Sequence, residues 1–272
     1  MEQMKDPVLC KICNSETTFA FSASILNKYE VPFSQCPHCD FLAPDEIFWL
    51  EEAYQEPINR EDTGLISRNI HLAKITATLL YFFFKRSDNY LDYAGGYGIL
   101  TRLMRDSGFH FYWYDAYTEN LFARGFEFDP ESDQKFALAT AFECFEHFMD
   151  PLQEIEKILQ TCGNILFSTV LLPSPTPAPQ NWWYYGFRHG QHVAFYSAKS
   201  LSLVARKFKL NFYSFQNVHL FATRKISSLL YATLVKLGPK IIFPILPVKK
   251  YSLTVWDHNK LSNGSDWGGT VL

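Results

Sequence analysis

The stretch Leu91-Asp-Tyr-Ala-Gly-Gly-Tyr-Gly98 joins a short apolar strand to a segment with helical periodicity, Ile99 to Asp106. Its glycines let the backbone approach a ligand closely. A dinucleotide fingerprint requires G-x-G-x-x-G, and if Gly96 and Gly98 take the first two positions, Thr101 stands where the third glycine should be. The loop therefore predicts an α/β fold with a ligand at the end of its first strand, and it disfavours a ligand that carries a pyrophosphate.

Two acidic residues beside this loop point to an adenosyl sulfonium cofactor, which has no pyrophosphate to seat on a helix N-terminus. Asp92 lies at the end of the first strand, and Asp115 follows the aromatic run Phe109–Tyr114, where a second strand would end. An acid at that position can accept hydrogen bonds from both ribose hydroxyls of a bound adenosine. The alternative is an ordinary glycine turn of an α/β domain.

Residues 88–215 resemble a class I S-adenosylmethionine-dependent methyltransferase. The resemblance rests on 91–98, on Asp115 and on Ala-Phe-Glu-Cys-Phe-Glu-His-Phe-Met-Asp-Pro at 141–151. It implies a doubly wound, mostly parallel, Rossmann-like sheet of seven strands and S-adenosylmethionine as cofactor. Ala94 departs from the common loop, which has glycine there. The residues that would contact the cofactor are Asp92, Ala94, Gly95, Gly96, Gly98, Asp115, Ala116, Phe142 and Glu143.

Four cysteines form two C-x-x-C pairs, Cys10 with Cys13 and Cys36 with Cys39. Each pair makes a turn whose thiolates converge, and two such turns complete a closed tetrahedral Zn²⁺ site. A closed site is structural, so we predict a small zinc ribbon at 1–44. The alternative is a set of unrelated reduced thiols.

The rest of the chain divides by pattern. We expect an acidic linker and leading helix at 45–87, the methyltransferase domain at 88–225 and a C-terminal extension at 226–272. Alternating strand and helix patterns place strands near 90–93, 110–114, 125–128, 136–142, 164–169, 210–216 and 218–223. Helices are expected at 63–85, 99–107, 151–161 and 197–207.

The composition and charge of the chain limit the partners and the location that we expect for it. A formal charge of −3 and a pI near 6.2 argue against a nucleic-acid partner, which normally requires a basic excess. The N-terminus lacks the apolar core of a secretory signal, so we expect a cytoplasmic protein. Glycine and prolines interrupt the apolar segment 226–248, so we expect no transmembrane segment and at most a shallow membrane association through 226–250. The oligomeric state is not indicated.

Catalytic candidates lie in the segment 188–197. It resembles the stretch before the penultimate helix of zinc-bearing sugar C-methyltransferases, whose histidine is a proposed base. On that match the base is His192, Gln191 replaces a glutamate, and Tyr196 is the aromatic that follows. His189 and His147 are further candidates, and each histidine has a structural alternative.

The resemblance favours a methyltransferase that acts on a small-molecule, nucleotide-sugar or glycan acceptor by O- or C-methylation. Three alternatives remain: a protein methyltransferase that recruits its partner through the zinc ribbon, a catalytically silent cofactor-binding module, and an enzyme that uses the same fold for other chemistry.

Overall fold

The computed structural model describes residues 7–55 and 62–262. A three-stranded antiparallel sheet comes first, with the order β1-β2-β3. Its strands are β1 (Thr18–Ile25), β2 (Tyr29–Gln35) and β3 (Leu42–Pro44). The first cysteine pair precedes β1 and the second lies between β2 and β3, and this sheet with its two cysteine pairs is called the ribbon below.

A six-stranded sheet follows, with the order β5-β4-β6-β7-β9-β8. β4 pairs in parallel with β5 on one side and with β6 on the other, and β9 pairs antiparallel with β7 and β8. The chain passes from β4 to β5 on one side and then crosses to β6 on the other side of β4, and such a switch point is where open α/β sheets bind ligands. The strands are β4 (Asn89–Tyr93), β5 (His110–Tyr114), β6 (Leu138–Ala141), β7 (Ile165–Ser168), β8 (Asn211–Phe215) and β9 (Val218–Ala222).

The expected count of seven strands was wrong for the described chain, since 125–128 forms only an isolated bridge between Glu127 and Trp113. Gly125, at a φ of 86°, precedes this bridge and Pro130 closely follows it. These two residues leave too little extended backbone for a regular strand.

Seven α-helices are described, and those that the periodicity predicted begin and end within two residues of expectation. Local signals explain the agreement. Pro151 begins α4 after Asp150, whose side chain accepts a hydrogen bond from the Gln153 amide, and Ser197 caps α5. The helices are α1 (Leu50–Ala53), α2 (Leu65–Phe83), α3 (Ile99–Asp106), α4 (Pro151–Thr161), α5 (Ala198–Lys207), α6 (Ser228–Leu237) and α7 (Thr254–Ser262).

The chain forms two compact units, Met1–Asp62 with Ala141–Ser228 and Thr63–Thr140 with Leu229–Leu272. In the first unit the ribbon residues Phe33 and Leu42 and the linker residue Trp49 share a buried apolar cluster with Tyr185 and Phe195. The ribbon is therefore packed on the segment that carries the candidate histidines.

The second unit contains a buried ion pair. Arg105 of α3 and Asp257 of α7 are 1% and 2% exposed, and the Arg105 guanidinium donates two hydrogen bonds to the carboxylate. Arg105 also donates to the Phe111 carbonyl and lies over the Phe126 ring. The residues of α7 therefore complete the core of a unit that begins at Thr63.

The apolar segment 226–248 was expected to be interrupted by its prolines and by Gly238. Instead α6 continues through a π-helical turn, Gly238–Ile242, and a 3₁₀ turn, Phe243–Ile245. Gly238 lies against Thr78 of α2. Length and composition alone would let Ser228–Ile245 cross a membrane, which is weak evidence for a span.

Asp257→Ala should lower the free energy of unfolding by about 3 to 5 kcal/mol, because it leaves the Arg105 charge buried without a counterion. Chemical denaturation measures this. Asp106→Ala removes an exposed partner of Arg102 and should cost at most about 1 kcal/mol. Equal effects of the two substitutions would contradict the structural role of the buried pair.

Candidate active site

The loop between β4 and α3 has three residues in left-handed backbone conformations. Gly96 and Gly98 have φ values of 52° and 85°, and Ala94 has 54°, which is strained for a residue with a Cβ. A Cβ at Gly98 would lie 2.5 Å from the Asn120 Oδ1. A Cβ at Gly96 would meet nothing within 4 Å, so a ligand can approach the backbone at this residue.

Asp92 is directed away from this open side. Its carboxylate is 2% exposed and accepts hydrogen bonds from the Thr101 amide, the Thr101 hydroxyl and the Thr140 hydroxyl. Burial, which these hydrogen bonds offset in part, raises the pKa of Asp92 to about 6. Asp92 therefore joins the start of α3 to β6, whereas the sequence assigned it to the cofactor.

Asp115 is half-buried just beyond β5, as predicted. One carboxylate oxygen accepts from the Gly96 amide at 2.9 Å, and the other accepts from the amides of Tyr117 and Thr118. A carboxylate offers about four lone-pair sites, so about one remains for a ligand rather than the expected pair. The Thr118 hydroxyl is buried with no partner among the described residues, so it is a second polar group available to a ligand.

The predicted cofactor residues Phe142 and Glu143 belong to the other unit, as does Ser168. The Glu143 amide donates to the Ser168 hydroxyl at 2.8 Å, and that hydroxyl donates to the Glu143 carboxylate at 2.6 Å. The side chain of Glu143 is thus held at the end of β7. A contact of Phe142 or Glu143 with a cofactor stays a prediction.

A cluster of imidazoles lies after β6 in the same unit. The rings of His147 and His192 are 5.0 Å apart and those of His189 and His192 are 4.8 Å apart, so three predicted histidines come together. Glu146, 1% exposed, lies beside them. Its backbone carbonyl accepts from the amides of Val193 and Ala194, which holds the histidine segment in place.

Burial sets the charge of this cluster. It lowers the pKa of His147 to about 4 and that of His192 well below its ordinary value, so both rings are neutral near pH 7. Burial, and secondarily the charge of Glu143, raises the pKa of Glu146 to about 8. His147, His192 and Glu146 are therefore all mainly uncharged near pH 7.

Tyr196 is fully buried, and its hydroxyl donates to the Phe145 carbonyl at 3.0 Å. Gln191 is also buried, and its side-chain amide donates to the Ala53 carbonyl. Both side chains hold backbone in place. On the sequence match, Gln191 removes the acid beside His192. Glu146 was not among the predicted site residues, although the adjacent pair Glu146-His147 was the available signal.

The ribbon contacts the histidine segment through its backbone. Leu42 and Phe195 exchange two backbone hydrogen bonds of 3.1 and 2.9 Å, and the Ser197 hydroxyl donates to the Cys39 carbonyl. The Trp49 indole donates to the Gly190 carbonyl at 2.7 Å. These bonds connect the order of the ribbon to the placement of His189 and His192.

The four ribbon cysteines lie close together. Sulfur–sulfur distances are 3.5 Å for Cys10 and Cys39, 3.4 Å for Cys13 and Cys36, and 3.7 Å for Cys13 and Cys39. Tetrahedral Zn²⁺ with bonds of about 2.3 Å separates its sulfurs by about 3.8 Å. The donor set and its spacing thus fit the ion with a small expansion.

A family model described as a methyltransferase domain matches residues 67–214, more than half of the chain. The chain therefore belongs to this methyltransferase family, and the prediction of a methyltransferase enzyme is confirmed. No curated protein matches the chain.

Solved structures with a similar fold are distant. CalO1, a methyltransferase in calicheamicin biosynthesis, is 14% identical with a TM-score of 0.43, over 65% of this chain and 60% of that one. Human N-acetylserotonin methyltransferase is 14% identical with a TM-score of 0.40, over 65% and 66%. The chain spans about 60% of the length of the first of these.

Asp92→Asn should flatten the pH dependence of stability. Because the folded pKa of about 6 exceeds the unfolded value of about 3.9, the folded state binds more protons, and stability falls as pH rises from about 4 to 6. Asparagine does not titrate, so the variant should not show the decrease in the free energy of unfolding, up to about 3 kcal/mol, that ionisation of Asp92 causes. Its side chain can still form hydrogen bonds with Thr101 and Thr140. Denaturation at both pH values measures this. The exposed Asp133→Asn should retain the wild-type slope, and parallel curves for Asp92→Asn would contradict the assignment.

Proposed function

We propose that the chain transfers the methyl group of S-adenosylmethionine to a small-molecule acceptor, such as a sugar, nucleotide sugar or glycan, by O- or C-methylation. The observation that carries the proposal is the pair of neutral imidazoles of His147 and His192 beside Glu146 in a chain of the methyltransferase family. When bound, the cofactor supplies an electrophilic methyl group. The chain's own residues then have to bind the cofactor, orient the acceptor and take up its proton.

We assign cofactor binding to the loop at Gly95, Gly96 and Gly98 with Asp115. The open approach at Gly96, the half-buried carboxylate and the unpartnered Thr118 hydroxyl support this assignment. Asp92 contributes indirectly, because it holds the start of α3 behind the loop. Ala94 and Ala116 flank these residues and stay predicted contacts.

We assign the acceptor proton to the histidine cluster, with His192 as the first candidate. The His192 Nδ1 lies 2.7 Å from the Tyr184 carbonyl. A carbonyl only accepts, so this nitrogen carries the proton and the lone pair is on Nε2. His192 is half-buried, and its Nε2 is the nitrogen that we assign to the acceptor.

We propose one structural Zn²⁺ at Cys10, Cys13, Cys36 and Cys39. The short sulfur–sulfur distances support it, and so do the two matching turns, in which the Asn14 and Asp40 amides donate to the Cys10 and Cys36 carbonyls. The ion would fix the ribbon that holds Phe195. A cytoplasmic location stays a prediction.

Asp115→Ala should weaken S-adenosylmethionine binding about 10- to 150-fold, because it removes a charge-assisted hydrogen bond worth about 1.5 to 3 kcal/mol. Calorimetry measures the affinity. The control Asp133→Ala makes the same charge change at an exposed site. Unchanged S-adenosylmethionine affinity in Asp115→Ala would mean that Asp115 does not bind the ribose of the cofactor.

His192→Ala should lower turnover about 100- to 10,000-fold with S-adenosylmethionine affinity unchanged, because the imidazole serves the acceptor. Labelled methyl transfer to a panel of sugars, nucleotide sugars and phenols finds the acceptor and measures turnover. Methylation of none of them by the wild-type protein would count against the proposed substrate class. Full activity in the variant would remove His192 from the chemistry.

Cys36→Ser should bind one zinc fewer per chain than the wild-type protein, because three thiolates no longer close the site. Elemental analysis measures the difference. Cys162→Ser, at a buried cysteine remote in sequence from both pairs, should keep the wild-type zinc content. Identical zinc content in Cys36→Ser and wild type would contradict the site.

A further inference from the structure

Three side chains of the histidine cluster form a second group with the spacing of metal ligands. Glu146, His147 and His192 each present a donor atom, and these atoms all lie within 4.8 Å of one another. The carboxylate is buried and the two imidazoles are half-buried. We propose that these three residues bind one divalent transition-metal cation.

Backbone carbonyls orient both imidazoles for this role. The His192 Nδ1 is 2.7 Å from the Tyr184 carbonyl, and the His147 Nδ1 is 3.0 Å from the Gln191 carbonyl. Since these oxygens can only accept, each ring carries its proton on Nδ1 and its lone pair on Nε2. Metal-binding histidines are held in this way, with the second nitrogen donating to a carbonyl or a carboxylate.

The Glu146 carboxylate supplies independent evidence for a ligand. The hydroxyls of Thr169 and Tyr184, 3.1 Å from each other, lie near this side chain. The Oε2 is nevertheless buried without a hydrogen-bond partner in the part of the chain that the structure describes. A buried polar atom without a partner costs about 1 to 3 kcal/mol, and a cation bound at Oε2 would remove that cost.

The donor set selects the class of ion. Two imidazole nitrogens and one carboxylate oxygen are the protein ligands of catalytic Zn²⁺ sites and of the His₂-carboxylate Fe²⁺ sites. Such sites leave a coordination position open. The cluster is therefore suited to Zn²⁺, Fe²⁺, Mn²⁺ or Co²⁺ rather than to Ca²⁺, which requires six to eight oxygens.

The role of the cation rests on the proposed methyl transfer. An acceptor hydroxyl bound at the open position would lose its proton to water more readily, because a cation lowers the pKa of a bound hydroxyl. The oxygen–methyl bond then forms as the sulfur–methyl bond breaks, and the electron pair stays on sulfur. With the cation bound, the His192 Nε2 is a metal ligand. The acceptor proton, which we assigned above to this nitrogen in the absence of a cation, then goes to water.

Co²⁺ tests the site, because its absorption reports its ligands. The full chain is first loaded with zinc at the ribbon, checked by elemental analysis, and then titrated with Co²⁺. We expect one further ion per chain, with d–d absorption and no thiolate-to-cobalt charge transfer. Glu146→Gln and His192→Gln should each weaken this binding by at least about 100-fold, since even second-shell partners contribute 10- to 100-fold.

His71→Ala removes an exposed histidine of α2 and should leave Co²⁺ binding unchanged. S-adenosylmethionine affinity and circular dichroism verify that each variant is folded. Glu146 is buried, so if its variant fails to fold, the half-buried His192→Gln decides. No Co²⁺ binding, a thiolate charge-transfer band alone, or equal binding by the cluster variants and wild type would overturn the metal site.

The two proposals fail in different ways. Co²⁺ bound at the cluster, without methylation of any acceptor, would uphold the metal site and reject the proposed function. Undiminished methyl transfer after chelation, with the cluster shown to be empty by elemental analysis, would uphold the function and reject the role of the cation.

Discussion

The two backbone hydrogen bonds between Leu42 and Phe195 are the constraint on which the histidine cluster depends. They pair the last ribbon strand with a segment that has no regular secondary structure before α5. A loop that carries catalytic side chains needs a rigid neighbour if its atoms are to stay in place. In this chain the neighbour is a sheet next to a cysteine cluster, so the order of the ribbon and the chemistry of the cluster are physically linked.

The two buried carboxylates, Asp92 and Glu146, differ in whether all their oxygens have hydrogen-bond partners, and this difference points to different roles. Asp92 receives three hydrogen bonds and joins α3 to β6, which is a structural role. Glu146 is as deeply buried and retains an oxygen without a donor among the described residues. Folded proteins rarely keep such atoms, and each one requires an explanation, such as an ordered water, a bound ion, strain or a catalytic task.

Much of the fold follows from the sequence, because its signals are local. The glycine loop, the Asp150-Pro151 helix start and the paired cysteines act over a few residues each, and the predicted strands and helices other than the strand at 125–128 lie where the structure has them. The seventh strand failed because Gly125 and Pro130 limit a segment whose apolar pattern alone resembled a strand. The continuous helix through Gly238 was missed because its contact with Thr78 joins residues far apart in sequence.

The site was predicted less completely than the fold. Residue type identified Asp115 and the histidines, but not the direction of each side chain. Asp92 faces inward and Tyr196 donates to a backbone carbonyl, and only tertiary packing decides either outcome. The carboxylate beside His192 comes from Glu146, which is distant in sequence. The glutamine at position 191 suggested that this acid was missing, whereas the fold places Glu146 there.

The buried pair of Arg105 and Asp257 shows that the residues needed for a stable fold extend beyond the residues that match the family. The family match ends at residue 214, and a fragment cut there would retain every predicted cofactor residue and all four ribbon cysteines. It would also bury a guanidinium without its counterion and expose the apolar surface that α6 and α7 cover. A fragment defined by the family match alone would therefore lack part of the folded unit that begins at Thr63.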